Sequence, residues 1–164
     1  MRSQKGQGLL EFAFVLPFLI LIMFGLFYAG MLFSDYIELN NLARMAAREA
    51  AVISQEDYNK NDDHYKPVRD KFTTAAKGSS DPKKYFLPNS LYIWDFSTKA
   101  KFDMEYDKYN KGDQSVTVTL VADVNKDDGG IYNALSAQFN VARKISVEYT
   151  MHSEYDHSTT TSDS

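Results

Sequence analysis

Glu11 is the residue whose placement most needs a chemical reason. It lies in LLEFAFVLPFLILIMFGLFYAGMLF, where every other side chain from Leu9 to Phe33 is uncharged. Moving an ionised group to the centre of a bilayer costs about 2.5–3.5 kcal/mol even on lenient insertion scales. A carboxylate there requires a cationic partner, or a position near the headgroups from which it reaches water. Its chemistry is ion pairing.

The other chemistry-bearing residues are sparse. His64, His152 and His157 are scattered, and the last two are five apart, so a strand would turn them to opposite faces. That spacing offers no zinc site. Asp123, Asn125 and Asp127 alternate in DVNKDDGG like the start of a calcium loop, and they are the candidate metal ligands. The position that needs glycine holds Asp128, however, and the bidentate acid position holds Ala134. A helix-capping acidic turn accounts for the same residues. Lys and Tyr interleave in KKYFLPNSLYIW, a pattern able to stack single-stranded DNA. A net charge of −4 and a pI near 5.3 oppose it, and no nucleic-acid partner is expected. Trp94 is assigned to the core. Nucleophile-elbow, P-loop and dinucleotide patterns are absent, and the chain has no cysteine. Neither an enzyme nor a cofactor is expected.

These residues need elements to position them. Mean hydropathy is −0.40, yet the apolar residues concentrate in the first third, while residues 55–115 are rich in Asp, Asn, Lys and Tyr. The uncharged run from Phe12 to Phe33 exceeds the roughly 20 residues that a helix needs to cross a bilayer. It is also too long for a cleavable secretory signal, and no small-residue cleavage site closes it. Arg2 and Lys5 precede it, and Asp35 and Glu38 follow. That flank predicts a cytoplasmic N-terminus and an extracytoplasmic head.

Beyond the span, Leu32, Tyr36, Leu39, Ala43, Ala46, Ala50 and Ile53 recur at steps of four and three. One helix is therefore expected over about 9–54, its upper stripe packed on the protein's own head rather than in a coiled coil. Pro17 removes one helical hydrogen bond. It marks either a simple kink or a point that unwinds among neighbours.

In the head, PVRDKFTTAAKG reads as a helix with Pro67 at its start and Gly78 at its end. SSDPKKYFLPNS reads as loop and LYIWDFS as a short strand. KFDMEYD and SVTVTLVADV alternate and form a hairpin across KYNKGDQ. A short helix is expected over IYNALSAQF, and a last strand from Val141 to Tyr155 sets Ile145, Val147, Tyr149 and Met151 on one side. The fold class is α+β, a long helix on a small, mostly antiparallel sheet of three or four strands. The parts are a short leader at 1–6, the helix at 7–55, the head at 56–157 and a disordered tail at 158–164.

The stretch KGQGLLEFAFVLPFLILIMFG resembles the start of type IV pilin-like proteins, most closely the TadE-like pilins of tight-adherence (Flp, type IVb/IVc-like) pilus systems. The shared pattern is a basic leader, Gly, four residues, Glu, an aromatic residue and a long apolar helix with an early proline. Gly6, Gln7, Glu11, Phe12 and Pro17 occupy those positions. Cutting after Gly8 would leave Glu11 third, so Gly6 is the expected site. The resemblance fades beyond Ala51. It implies a pilin-like fold and cleavage by a prepilin peptidase that frees the α-amine of Gln7. Glu11 would then neutralise the amine of a neighbouring subunit, with Phe12 and Pro17 in the same assembly segment. The implied function is a minor pilin or pseudopilin in pilus assembly, adhesion and surface colonisation. Its partners would be a major Flp-type pilin, other minor pilins, inner-membrane platform proteins and the membrane, with final residence in an extracellular pilus. The alternative is a single-pass anchored binding module, an adhesin or a DNA or glycan binder.

Overall fold

The computed structural model describes residues 4–54, 65–75, 84–89, 91–106, 115–125 and 144–154. The expected helix over 131–139, the turn between the hairpin strands, Gly78, Asp127, His64, His157 and the tail lie outside the described residues.

Helix α1 runs from Gln4 to Ala51. Leu, Ala, Met and Phe dominate it, and Pro17 is its one internal proline. At 1.5 Å per residue its 48 residues extend about 70 Å. Arg48 lies in the last turn, where a cation meets the negative end of the helix dipole. The closing carbonyls find long-range donors. Glu154 N–H donates to Ala51 O at 2.9 Å and the buried Ser153 hydroxyl donates to the same oxygen at 3.4 Å. The last strand thus caps the first helix.

Five strands form one antiparallel sheet: β1 Lys84–Phe86, β2 Tyr92–Asp95, β3 Phe102–Tyr106, β4 Ser115–Val124 and β5 Lys144–His152. The long β4 is central. β5 pairs along it from Ser115↔His152 to Asp123↔Lys144. Its other edge is shared by β3, from Tyr106↔Val116 to Phe102↔Leu120, and by β2 at Ile93↔Asp123 and Tyr92↔Val124. Between Ile93 and Phe102 the chain loops out through a single 3₁₀ turn at Lys99–Lys101. Asp95 starts this excursion by accepting bonds from Ser97 N–H at 3.1 Å and Ser97 Oγ at 2.6 Å. The expected hairpin is present, and the last strand occupies the interior of its expected range.

Two expectations are corrected. Residues 84–86 form an edge strand on β2 rather than loop, so the sheet has five strands instead of three or four. Three residues are too few to show an alternating pattern, and only pairing with Ile93–Asp95 reveals the strand. On the helix stripe, Tyr36 is 40% exposed while Asp35 is fully buried. From Leu32 to Leu39 a seam can step by four then three, or by three then four. Residue polarity favours Tyr36, but a side-chain clamp described below makes Asp35 the inward position.

The core has period two on the sheet. Val116, Val118, Leu120 and Ala122 of β4 are buried, with Ile145 and Val147 of β5 and Phe102 and Met104 of β3. Upon them α1 lays Leu39, Leu42, Ala43, Ala46, Ala47, Ala50 and Ala51, all buried. The alanines lie on the stretch of α1 that packs on the sheet, chiefly against β4 and β5. Helix α2, Lys66–Ala75, starts with Pro67 in its first turn, where a missing N–H costs nothing. It buries Val68 and Phe72, and the Phe72 ring meets Trp94 and Phe102 edge-on at 5.9 and 5.6 Å. An exposed Lys71–Glu49 ion pair also ties α2 to α1. Trp94 is core as expected, its indole N–H donating to Lys101 O at 3.0 Å.

Candidate functional site

The lower half of α1 has no counterpart in the head. Every residue from Gly8 to Phe27 is exposed, including Leu9, Phe12, Phe14, Phe18 and Phe24 at more than half of their surface. Twenty residues at 1.5 Å make about 30 Å, the thickness of a bilayer's hydrocarbon core. This one N-terminal helix is long and apolar enough to cross a membrane, and it fits a single-pass anchor.

The residues singled out from the sequence line up along this rod. Gly6 and Gln7 lie in its first turns, within the helix rather than before it. Glu11 follows Gln7 by four residues, one turn up the same face. It is exposed and has no hydrogen-bond or ion-pair partner among the described residues. Phe12 is 61% exposed, and Pro17 sits mid-rod within continuous helix. A Cβ on Gly8, Gly25 or Gly30 would meet nothing. Among the described residues, none of the head covers the rod from Gly8 to Phe27.

The head grips the helix where the exposed stretch ends, through the turn between β1 and β2. Asp35 Oδ1 accepts two bonds from Asn89, from its backbone N–H and its side-chain amide, each at 3.0 Å. The same amide donates to Met31 O at 3.1 Å. One asparagine thus holds both a carboxylate and a helix carbonyl. One turn above, Tyr85 OH donates to Glu38 Oε1 at 3.2 Å. Burial and the Glu38 charge both push that phenol above its ordinary value. Sequence reasoning missed this clamp. The acid just past the apolar run was visible, but Asn89 lies 54 residues away and carried no signal of its own.

Asp35 sets a pH dependence. Burial raises its carboxyl above the ordinary value, although the Asn89 bonds and the main chain of Tyr92 and Leu91 favour the ionised form. A raised folded-state value means that the proton is held more tightly in the folded protein. The contribution to stability is complete below the ordinary carboxyl range and is lost as pH rises through the raised value. Asp35→Ala leaves two Asn89 donors without their acceptor and should cost about 1–3 kcal/mol in denaturant unfolding. The gap between parent and variant should narrow as pH rises from about 4 to 7. A widening gap would mean that the bonds, not burial, govern Asp35.

Of the remaining candidates, Asp123 and Asn125 are described and Asp127 is not. Asp123 pairs with Lys101, whose ammonium its hydrogen bond and charge raise above the ordinary value. Asn125 is buried, its N–H donating to Leu91 O at 2.9 Å. The described residues contain no group of three or more metal-ligating side chains. Of the aromatic residues in KKYFLPNSLYIW, Tyr92 and Trp94 are in the core and Tyr85 is bonded to Glu38, while Phe86 is exposed.

A long helix, apolar and exposed below, laid above on an antiparallel sheet, is an α+β, pilin-like fold. Residues 6–48 match the family model described as TadE-like protein. Over that stretch the chain is similar to TadE-like proteins, which suggests an association with tight-adherence pili. The match covers most of α1 and stops before the head. No curated protein and no solved structure matches the chain.

Proposed function

We infer that the protein is a minor pilin or pseudopilin, a structural subunit of a tight-adherence pilus that serves assembly, adhesion and surface colonisation. The single observation that carries this function is the uncovered rod from Gly8 to Phe27, joined to a head that packs without it. In the membrane the rod is satisfied by lipid, and in a filament by the helices of neighbouring subunits. A prepilin peptidase cuts after Gly6, and the platform proteins hand the subunit to other pilins. The head stays extracytoplasmic throughout. The work is mechanical, and no catalysis is assigned.

Glu11 fits this sequence of events. The freed α-amine of Gln7 has an unperturbed pKa of about 7.7–8.0, so much of it is cationic near neutral pH. Its own Glu11 is one turn away on the same face, and a carboxylate there also favours the positive end of the helix dipole. On docking, the carboxylate takes the amine of a neighbour, and a buried charge becomes tolerable because it is paired. Mechanical shearing of cells tests the role. The protein should appear in the sheared filament fraction, without its leader. A chain found only in membranes, with its leader intact, would instead be an anchored binding module.

A further inference from the structure

Helix α1 packs on one face of the sheet, so the head has an outer helix face and an outer sheet face. On the helix, Asn41, Arg44, Met45, Arg48 and Val52 lie away from the buried stripe, and all are exposed. On the sheet, period two turns Asp103, Glu105, Thr117, Thr119, Glu148 and Thr150 away from the core. Strand register gathers these six into two rows, Asp103–Thr119–Glu148 and Glu105–Thr117–Thr150. One outer face is basic, and the other is acidic at its centre. The remaining charges are accounted for. Glu49 is paired with Lys71 and Lys101 with Asp123, while Lys144 and His152 stand at the two ends of β5. Arg48, Glu105 and Glu148 have no ion-pair partner among the described residues. Arg44 lies over the Tyr149 ring, 5.6 Å from its centroid, and Asp103 takes the N–H of Met104 at 3.0 Å. Tyr149 falls between Glu148 and Thr150. The two acidic rows therefore cross the sheet behind the stretch of α1 that carries the arginines.

We propose that the Arg44 and Arg48 face of one copy docks on the Asp103, Glu105 and Glu148 face of a second copy, so that anchored heads stand in rows. This rests on the single-span anchor, which requires rods in one bilayer to run the same way. Joining helix face to helix face would set arginine against arginine, and joining the sheet faces would set acid against acid. Like charges brought together oppose both pairings. Helix face on sheet face pairs opposite charges and keeps the rods parallel. Such a contact is heterologous, so it extends into a row instead of closing as a pair. Exposed ion pairs are individually weak. Rods confined to one membrane raise the effective concentration of heads already held upright, and weak pairs then suffice. A head cut from its rod stays monomeric.

The chain has no cysteine, so introduced cysteines report the contact in the full chain, reconstituted in phosphatidylcholine vesicles. Met45→Cys lies beside the arginines, and Thr119→Cys lies between Asp103 and Glu148 in register. Oxidised with copper phenanthroline, a mixture of the two variants should form an interchain disulfide that neither forms alone. Adding Arg44→Glu and Arg48→Glu to the Met45→Cys chain should lower the yield by about tenfold or more. Adding Glu105→Lys and Glu148→Lys to the Thr119→Cys chain should then restore it. Rescue by reversal on both sides is a result that misfolding of either variant does not imitate. Equal disulfide yield from Met45→Cys alone means a helix-to-helix pair and overturns the proposal, as does a yield indifferent to the reversals. Alkaline extraction of the vesicles separates the two readings. A chain stripped from the bilayer defeats the span and the rows with it. A retained chain that forms no mixed disulfide overturns the head contact and leaves the span standing.

Discussion

Glu11→Ala should insert into the membrane and be cut after Gly6, yet be missing from filaments. Among the described residues nothing partners the Glu11 side chain, which is exposed. Its importance therefore begins when rods pack side by side and water leaves. The cationic amine of one subunit is then buried, and without a carboxylate opposite it stays unpaired. Removing one partner of a buried pair costs about 3–5 kcal/mol, far more than the intact pair contributes. At about 1.4 kcal/mol per tenfold, that is a loss of roughly two to three and a half orders of magnitude in incorporation. Glu11→Gln should fall between, keeping an acceptor without the charge. Glu11→Asp should be milder and limited by reach. Counting each variant in sheared filaments, with pulldown of partner pilins, measures the series. Normal assembly of Glu11→Ala would place the carboxylate among headgroups.

Cutting the chain within α1 should separate the helix's two duties. A fragment starting at Ser34 should fold as a soluble monomer, because it keeps Asp35 for Asn89 and the whole buried stripe from Leu39 to Ala51. Starting at Asp57 should give an aggregating fragment. That cut bares the sheet face formed by Val116, Val118, Leu120, Ile145 and Val147, each less than a tenth exposed in the intact head. Fully burying one such side chain contributes about 1.5–3 kcal/mol, so uncovering five removes an amount comparable to a small domain's entire margin. An apolar face of that size drives association. Size-exclusion chromatography of the two fragments decides. A well-behaved shorter fragment would mean that the alanine stripe is not needed to cover the sheet.

Much of this architecture was written in local patterns. A long uncharged run, a stripe of alanines and two alternating strands each declare themselves within a dozen residues, and helix, span and hairpin follow from them. The proposed assembly segment is likewise one local pattern, from Gly6 through Glu11 and Phe12 to Pro17. What stayed hidden depends on distant partners. Three residues of β1 become a strand only beside β2, and β2 and β3 share one edge of β4 only because Phe96–Lys101 loops out between them. Asp35 is the sharpest case. Its polarity argues for the outside, and a single asparagine from the far side of the head turns it inward.

The central claim is that this chain becomes a filament subunit through a cut that makes Glu11 the fifth residue. N-terminal sequencing with intact mass of the protein recovered from sheared filaments tests it most directly. The expected result is a chain beginning at Gln7, with Met1 through Gly6 removed. A chain that retains Met1, or begins at Leu9 after a cut behind Gly8, would contradict the claim, because the amine and Glu11 would no longer stand one helical turn apart.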